Sequence, residues 1–464
     1  MTTSVTGRSS AHALPDPLTR AKASFASGRT RDLAWRQRQL DGIIELCRER
    51  EDEIAAALAL DLGRAPAEAW IGDIVTTVEE AEYARRHVRS WMKRRRQRIP
   101  VAQLPGRAWI QYEPLGVVLI ISAWNFPVYL ALGPLVAAVA AGNCAVIKPS
   151  ELAPATSNLL ARLVPLYLDP DAVLVVEGGA ETSQDLLARA VDHVLFTGST
   201  AVGRRIMAAA APTLTPVTLE LGGKSPVIVT ADADLGVAAR RITWGRMLNS
   251  GQACVAPDYV LAEESIKTEL VRRIAQYMSE FRADSTPGMP IVDQRQFDRL
   301  ADYLATTSGE IACGGRTDRD AFTIEPTVIV DPHPDDAVMT EEIFGPILPV
   351  LGVDSLDAAL SFINARPKPL AMYGFTRSRE TGRRIIDGAA AGSTVLNHVA
   401  VQLLVPQLPF GGVGASGMGA YHGEWGFQTL SHRKAVLSKS VKPDLSLMYP
   451  PYSDSALRIL RRIL

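Results

Sequence analysis

The sequence has few cysteines and almost no net charge. Its 464 residues include four widely spaced cysteines and seven scattered histidines, and the net charge is −1. Disulfide frameworks and zinc sites need closer Cys and His spacing, so we expect no metal and a reducing, cytoplasmic setting. The balanced charge also gives no global attraction to nucleic acid or to an anionic membrane.

Long uninterrupted apolar segments are also missing. The most apolar stretch, residues 114–142, is broken by Asn125, Pro127 and Pro134, so we interpret it as a buried strand followed by a buried helix. The N-terminal MTTSVTGRSSAHALPDP has no apolar core of the kind found in secretory signals. Its Ser/Thr-rich, acid-poor composition leaves an organellar-targeting role open beside a solvated tail.

Strand and helix patterns alternate through most of the chain. Residues 23–98 repeat apolar positions at helical intervals and end in a basic cluster around Trp91, which fits a solvated helix face or a subunit contact better than a nucleic-acid site. Apolar runs such as GVVLIISA and HVLFTGS then alternate with helical patterns, and a second such block starts at SPVIVTAD. This predicts an α/β fold with two Rossmann-like parallel sheets and a ligand cleft between them.

Two strand ends carry patterns suited to a nucleotide. In VLFTGSTAVG, residues 194–203, a strand meets a glycine and a helix begins at once, so backbone N–H groups could hold a phosphate. A plain tight turn explains the pattern equally well. In IKPSE, Lys148 and Glu151 follow another strand and could contact a ribose or form a surface ion pair.

Three residues suit covalent catalysis. Cys254 lies in NSGQACVAPDY, a small-residue loop whose backbone N–H can meet an oxyanion, although a lone cysteine is more often core filler. We assign that inert role to Cys47, Cys144 and Cys313. Glu220, in LELGGKSP, is either a buried structural acid or a general base. Asn125, in SAWNFPVYL, could complete an oxyanion hole or cap a turn.

The order of the motifs resembles the aldehyde dehydrogenase superfamily. WNFP, KPSE, FTGST, LELGGK, GQACVAPDY, EEIFGP and PFGGVGASGMG follow one another between Trp124 and Arg433. The phrases APDY, EEIFGPILPV and FGGVGASGMGAYHG resemble the class 3, or fatty aldehyde dehydrogenase, branch in particular.

The resemblance implies NAD(P)-dependent oxidation of an aldehyde to an acid through a thiohemiacetal and a thioester on Cys254. It makes Glu220 the general base and Asn125 part of the oxyanion hole. The implied cofactor contacts are Lys148, Glu151, Gly198, Ser199, Thr200, Ala201, Val202, Gly203, Glu342 and Phe344. Glu151 favours NAD over NADP, although a mobile Glu151 beside Lys148 would admit both. Tyr129, Trp70 and Phe410 could line a channel for medium- or long-chain aliphatic or aromatic aldehydes.

The same resemblance implies a domain division. It predicts a cofactor domain (1–99 and 114–219), a catalytic domain (220–406), a bridging β arm (100–113 and 430–450) that pairs subunits into a homodimer, and a tail (451–464). Two features depart from the family. His398 follows Asn397 where many relatives have an acid, and residues 443–464 contain no membrane-spanning segment like that of microsomal relatives.

Three alternatives stay open. A CoA-acylating dehydrogenase would pass the acyl group to coenzyme A, whereas Glu220 favours water. A non-catalytic protein of the same fold is disfavoured because Cys254, Glu220 and Asn125 are all present. The C-terminal SALRILRRIL could lie on a membrane surface, but its ten residues favour a tail that docks on a partner subunit or lacks fixed structure.

Overall fold

The computed structural model describes residues 16–282 and 288–463. Residues 1–15, which make up most of the predicted N-terminal tail, and Leu464 lie outside the described residues.

The helices occupy the predicted helical segments and several others. They are α1 (Pro17–Ala26), α2 (Leu33–Glu49), α3 (Glu51–Leu62), α4 (Pro66–Ala69), α5 (Val75–Trp91), α6 (Tyr129–Ala141), α7 (Pro154–Tyr167), α8 (Ala180–Ala188), α9 (Thr200–Ala210), α10 (Leu235–Met247), α11 (Glu264–Phe281), α12 (Gln294–Thr306), α13 (Ala337–Thr340), α14 (Leu356–Asn364), α15 (Arg379–Gly388), α16 (Gly423–Thr429) and α17 (Asp454–Ile463). Helix α12 was not expected from the sequence.

The strands form three main sheets and one short hairpin. They are β1 (Arg95–Gln97), β2 (Gly106–Pro114), β3 (Val117–Ile121), β4 (Cys144–Lys148), β5 (Val173–Val175), β6 (His193–Thr197), β7 (Val217–Glu220), β8 (Pro226–Val229), β9 (Tyr259–Glu263), β10 (Glu310–Cys313), β11 (Thr317–Asp318), β12 (Thr323–Ile324), β13 (Thr327–Val330), β14 (Ile347–Val353), β15 (Ala371–Phe375), β16 (Ser393–Leu396), β17 (Gly417–Met418) and β18 (Ser431–Lys439).

The first sheet has the order β17-β7-β6-β3-β4-β5, in which only the short edge strand β17 is antiparallel to its neighbour. Strands β3 and β4 are buried along their whole length, as central parallel strands covered on both faces must be. Strand β3 lies between β4, which follows it in the chain, and β6, so the strand order reverses at β3. Such a reversal of strand order opens a crevice at the carboxyl ends of the strands.

The second sheet has the order β10-β13-β14-β9-β8-β15-β16 and is parallel except for β10. The two parallel sheets confirm the predicted fold class. Cys313 ends β10.

A separate antiparallel sheet joins distant parts of the chain. Strands β1, β2 and β18 pair in that order, and β18 matches β2 over nine residues, from Ser431 opposite Pro114 to Lys439 opposite Gly106. This sheet occupies the region where a β arm was expected.

Residues 114–142 form β2's last residue, β3 and α6, as a strand–helix interpretation requires, and every residue of α6 is buried. Among the described helices, none combines the length and apolar character needed to cross a bilayer. The C-terminal SALRILRRIL lies mostly in α17, where Leu457 and Ile459 are exposed. The tail therefore has regular secondary structure.

Candidate active site

A cavity of about 840 Å³ opens at the carboxyl ends of the first sheet and faces the loop after α10. The predicted site residues that line it are Asn125, Lys148, Glu151, Gly198, Ser199, Thr200, Ala201, Val202, Glu220, Cys254, Glu342 and Phe344. Gly203 lies behind this lining, buried in α9 against Leu221, where a side chain would collide. One cavity thus gathers residues that are more than 200 positions apart in the sequence.

The thiol of Cys254 stands at the end of an unusual turn. Asn249 and Ser250 both have left-handed backbone angles, with φ of 52° and 54°, and reverse the chain after α10. Burial, followed by the nearby Glu342 and Glu220 carboxyl groups, raises the pKa of the Cys254 thiol to about 12. The thiol therefore carries its proton at neutral pH, and a nucleophilic role requires a base.

Such a base lies at the end of β7. Glu220 is buried, and neither of its carboxyl oxygens has a hydrogen-bond partner among the described residues. Burial without compensating donors raises the pKa of Glu220 well above its usual value. A carboxyl group left unpaired at a cavity wall is chemically available to a bound molecule.

Asn125 is held at the end of β3 by the loop that carries the thiol. Its amide Nδ2 donates to the carbonyl oxygen of Gln252 at 3.2 Å. A primary amide has two N–H groups, and the Asn125 side chain also lines the cavity. One N–H can therefore anchor the amide while the other points to a ligand.

The turn between β6 and α9 has the features of an anion site. Ser199 caps α9, and its Oγ accepts the N–H of Val202 at 3.4 Å. The first turn of this 11-residue helix lines the cavity with its N–H end, which attracts negative charge. The N–H of Gly198 donates to the Glu220 carbonyl at 3.0 Å, so Gly198 contributes space rather than a donor.

Lys148 and Glu151 form an ion pair at the end of β4. The buried Lys148 ammonium donates to Glu151 Oε2 at 2.7 Å and to the carbonyl of Gly178 at 2.9 Å, whereas the Glu151 side chain is half-exposed. The pair therefore lines the cavity, with Lys148 buried and Glu151 open to solvent.

Glu342 and Phe344 lie on the opposite wall. Glu342 is partly buried, its Oε1 is buried and unpaired among the described residues, and desolvation followed by the Asp258 charge raises the pKa of its carboxyl to about 8. Its carboxylate lies against Gly222, where any side chain would displace it. Phe344 meets Trp124 edge to face at 5.5 Å between ring centroids.

These features fit a nicotinamide dinucleotide. A helix N-terminus suits its pyrophosphate, and a Lys–Glu pair at a strand end suits one ribose. The Glu342 carboxyl group, with an unpaired oxygen beside Gly222, suits another hydroxyl-bearing group. The aromatic corner of Trp124 and Phe344 provides a flat apolar surface for a ring.

Sequence reasoning missed the residues that fix the backbone from Glu341 to Ile343. Lys224 donates to the Asp258 carboxylate and to the carbonyl of Glu341 at 2.8 Å. Arg299, from α12, donates to the carbonyls of Glu342 at 3.1 Å and Ile343 at 2.7 Å. The apolar spacing of α12 offered a signal for that helix, but nothing in the sequence indicated these long-range contacts.

The three aromatic channel candidates separate in the structure. Phe410 lines the cavity, Tyr129 is buried with its hydroxyl 2.7 Å from His422 Nε2, and Trp70 is 45% exposed. His422 also stacks on Phe410 at 5.2 Å. His398, the departure noted above, meets Trp244 edge to face at 5.8 Å.

Comparison with known proteins agrees on one family. The sequence profile of the aldehyde dehydrogenase family matches residues 4–436. Aldehyde dehydrogenase family 3 member A2 of Rattus norvegicus is 44% identical over 442 residues, covering 94% of this chain and 91% of the relative. The rat protein named "aldehyde dehydrogenase, dimeric NADP-preferring" is 42% identical over 448 residues, covering 94% and 98%.

Solved structures show the same likeness. The substrate-bound state of Staphylococcus aureus AldH superposes with a TM-score of 0.92 and 39% identity, covering 97% of this chain and 99% of that one. An indole-3-acetaldehyde dehydrogenase in complex with NAD+ has a TM-score of 0.85 and 27% identity over 91% of this chain and 88% of that one.

Proposed function

The chain belongs to the aldehyde dehydrogenase family, and on that premise we propose that it oxidises aldehydes to carboxylic acids with Cys254 as nucleophile. One observation carries the proposal: the Cys254 thiol, the unpaired Glu220 carboxyl and the Asn125 amide line a single cavity that also contains the N-terminus of α9. An acyl-transfer site needs a nucleophile, a base and an oxyanion donor together.

The first half of the reaction uses all three groups. Glu220 accepts the proton of the Cys254 thiol, and Sγ adds to the carbonyl carbon of the aldehyde. The carbonyl oxygen gains the negative charge, which the Asn125 amide and the backbone N–H of Cys254 stabilise. A bound nicotinamide dinucleotide supplies the hydride acceptor. The acyl group then remains on Cys254 as a thioester.

The second half releases the acid. Glu220 first passes the thiol proton to solvent and then accepts a proton from a water molecule, whose oxygen attacks the thioester carbon. The carbon–sulfur bond breaks, Sγ regains a proton from Glu220, and the carboxylic acid leaves. A base beside the thioester favours hydrolysis over transfer to coenzyme A, because a CoA thiol would not need a water-activating carboxylate.

Family membership makes NAD or NADP the cofactor class. We propose that Lys148 and Glu151 bind the adenosine ribose, that the turn from Gly198 to Gly203 holds the pyrophosphate, and that Glu342 and Phe344 hold the nicotinamide end. Glu151 would repel a 2′-phosphate, which supports NAD. The rat relative described as NADP-preferring makes use of NADP a specific alternative.

The cavity wall supports a proposal for the substrate class. Phe410 and Tyr421 line the cavity beside Cys254, and apolar aromatic walls favour medium- or long-chain aliphatic or aromatic aldehydes. We also propose the domain division given above and a homodimer paired through the β2–β18 arm. The dimeric state stated for the rat relative supports that arrangement.

The test is a substrate panel on the full chain. Purified protein is assayed for NAD(P)H formation with hexanal, decanal and benzaldehyde, each with NAD and NADP and with or without coenzyme A. We expect activity that is independent of coenzyme A in the wild-type chain and its loss in Cys254→Ser. Cys313→Ser, at a cysteine outside the cavity, is the matched control and should keep full activity.

A further inference from the structure

A buried guanidinium lies behind the catalytic cavity without lining it. Arg64 follows α3 and is only 2% exposed. One of its nitrogens pairs with Asp73, and the other donates to the main-chain carbonyl of Asn125 and, at 2.7 Å, to the side-chain oxygen of Asn249. The guanidinium also lies 4.7 Å from the centroid of the Phe126 ring. A buried charge with this many partners must be ordered, since each lost partner leaves it unsatisfied.

Asp73 extends the network to the start of α6. Its second carboxyl oxygen accepts the backbone N–H groups of Val128 at 3.0 Å and Tyr129 at 2.8 Å. The segment that carries Asn125 is therefore held from both sides, by Arg64 at its carbonyl and by Asp73 at the following helix. Its position depends on side chains that belong to neither sheet.

Asn249 closes the network on the thiol side. Its Nδ2 donates at 3.0 Å to the carbonyl of Asn125 and at 3.0 Å to the carbonyl of Gln252. The Gln252 carbonyl also accepts the Asn125 amide. Residue 249 has a φ of 52°, a conformation that asparagine tolerates better than most residues.

The geometry points to Arg64 and Asn249 as positioning residues that set the separation of the Asn125 amide from the Cys254 thiol. Both donate to the Asn125 carbonyl, and Asn249 also binds the loop that leads to Cys254. The inference rests on the proposed function, because it assigns to these residues the alignment of an oxyanion donor. A displacement of about 1 Å at such a donor can lower the rate by about two orders of magnitude.

A lysine cannot replace this arginine. The planar guanidinium presents a fixed fork that reaches Asp73, Asn125 and Asn249 at once, whereas an ammonium is a single point charge on a flexible stem. Arg64→Lys therefore keeps the positive charge but loses the simultaneous hydrogen bonds to three residues. It tests the positioning role of Arg64 separately from its charge.

The test is a double-mutant cycle. We expect Arg64→Lys to lower kcat/KM for hexanal by about tenfold or more, with KM for NAD changed by less than about twofold. In an Asn125→Ala background, assayed at higher enzyme concentration, the same substitution should change kcat/KM by less than about twofold, since the group that Arg64 aligns is gone. A purely structural role would lower the rate equally in both backgrounds and would overturn the inference.

Arg36→Lys is the matched control. Arg36 is also buried and donates to the carbonyl of Ala140, at the opposite end of α6 from Arg64. It should change kcat/KM by less than about twofold in either background.

A second variant covers the case in which Arg64→Lys does not fold. Asn249→Asp keeps the side-chain shape and the tolerance of a left-handed backbone. It replaces Nδ2, whose two N–H groups donate to the carbonyls of Asn125 and Gln252, by an oxygen that cannot donate. It should show the same loss of kcat/KM and the same dependence on Asn125. An inactive wild-type chain would overturn both this inference and the proposed function, whereas an active wild type with additive losses would overturn only the positioning role.

Discussion

The Asn125 side chain donates a 3.2 Å hydrogen bond to the main-chain carbonyl of Gln252, two residues before Cys254. The bond joins the end of β3 to the loop that follows α10. It leaves the second N–H of the Asn125 amide for a ligand in the cavity. The same amide is thus both a structural link and a candidate oxyanion donor.

Replacing Asn125 by alanine should lower kcat by about 10²–10³, the usual cost of one oxyanion-hole donor. The loss should appear in the pre-steady-state burst of NADH as well as in steady turnover, because the charge on oxygen develops before the thioester forms. Rapid-mixing absorbance at 340 nm measures both. Asn364→Ala, at an exposed asparagine on α14, is the control, and a burst of normal rate in Asn125→Ala would remove the assigned role.

Glu220→Gln should slow both halves of the reaction. A glutamine can accept a proton neither from the Cys254 thiol nor from water, so the NADH burst should slow and steady turnover should fall by about 10²–10⁴. Hydroxylamine attacks thioesters as a stronger nucleophile than water, so its addition should restore only the part of the loss that arises from slow hydrolysis. Normal steady turnover without hydroxylamine would show that Glu220 is not the base.

The Cys254 thiol should respond to pH as a strongly perturbed group. Because its pKa is raised to about 12, alkylation by iodoacetamide in the cofactor-free Cys313→Ser chain should keep rising with pH through 10 without a plateau. Glu342, with a pKa raised to about 8, is ionised above that pH and disfavours the thiolate. Glu342→Gln should therefore speed alkylation above pH 8 and leave it unchanged at pH 6. Mass spectrometry of the Cys254 peptide gives the rate, and a plateau near pH 8 would contradict the prediction.

Glu151→Gln should shift cofactor preference toward NADP. The substitution removes the negative charge that would face a 2′-phosphate and leaves Lys148 in place, so we expect kcat/KM for NADP to rise relative to NAD by about tenfold. Parallel assays with both cofactors measure the ratio. Glu181→Gln, at an exposed carboxylate on α8, should leave the ratio unchanged, and an unchanged ratio in Glu151→Gln would place the ribose elsewhere.

Glu80 should make stability depend on pH. Burial raises the pKa of this carboxyl from its usual 4.5 to about 7, although its Oε1 accepts the Gly423 N–H at 2.6 Å. The unfolded chain loses the proton near pH 4.5 and the folded chain holds it until about pH 7. The free energy of unfolding therefore falls by roughly 3 kcal/mol across that window as pH rises.

Glu80→Gln keeps an acceptor for Gly423 and cannot ionise. It should be more stable than the wild type at pH 8 and similar to it at pH 4.5, as measured by urea unfolding. Glu79→Gln changes the exposed neighbour and should have little effect at either pH. Equal stability of wild type and Glu80→Gln at pH 8 would show that Glu80 is not perturbed.

The sequence predicts the first parallel sheet well because its central strands are mostly apolar runs. VVLII and CAVIK are typical of parallel strands that are covered on both faces, and the structure buries every residue of both strands. Helices α7 and α11 likewise carry apolar residues at helical spacing and bury them. The local sequence pattern is enough to predict these segments because the secondary structure that each one favours also buries its apolar residues in the folded protein.

The network around the site could not be predicted in this way. Arg64 is an ordinary cation after a helix in the sequence, and its contacts with residues 125 and 249 arise only from tertiary packing. The left-handed turn at Asn249 and Ser250 has no glycine at either position to mark it. Helix α12 is the exception, because the sequence contains its apolar residues at helical spacing.

The late strands of the chain finish sheets that its first half begins. Strand β17 pairs with β7, and β18 pairs with β2 across more than 300 intervening residues. During synthesis, one edge of β2 and one edge of β7 therefore remain unpaired until residues 417–439 have left the ribosome. A nascent chain stalled before that point would present unpaired sheet edges to other chains, which favours aggregation while residues 220 to 439 are being added.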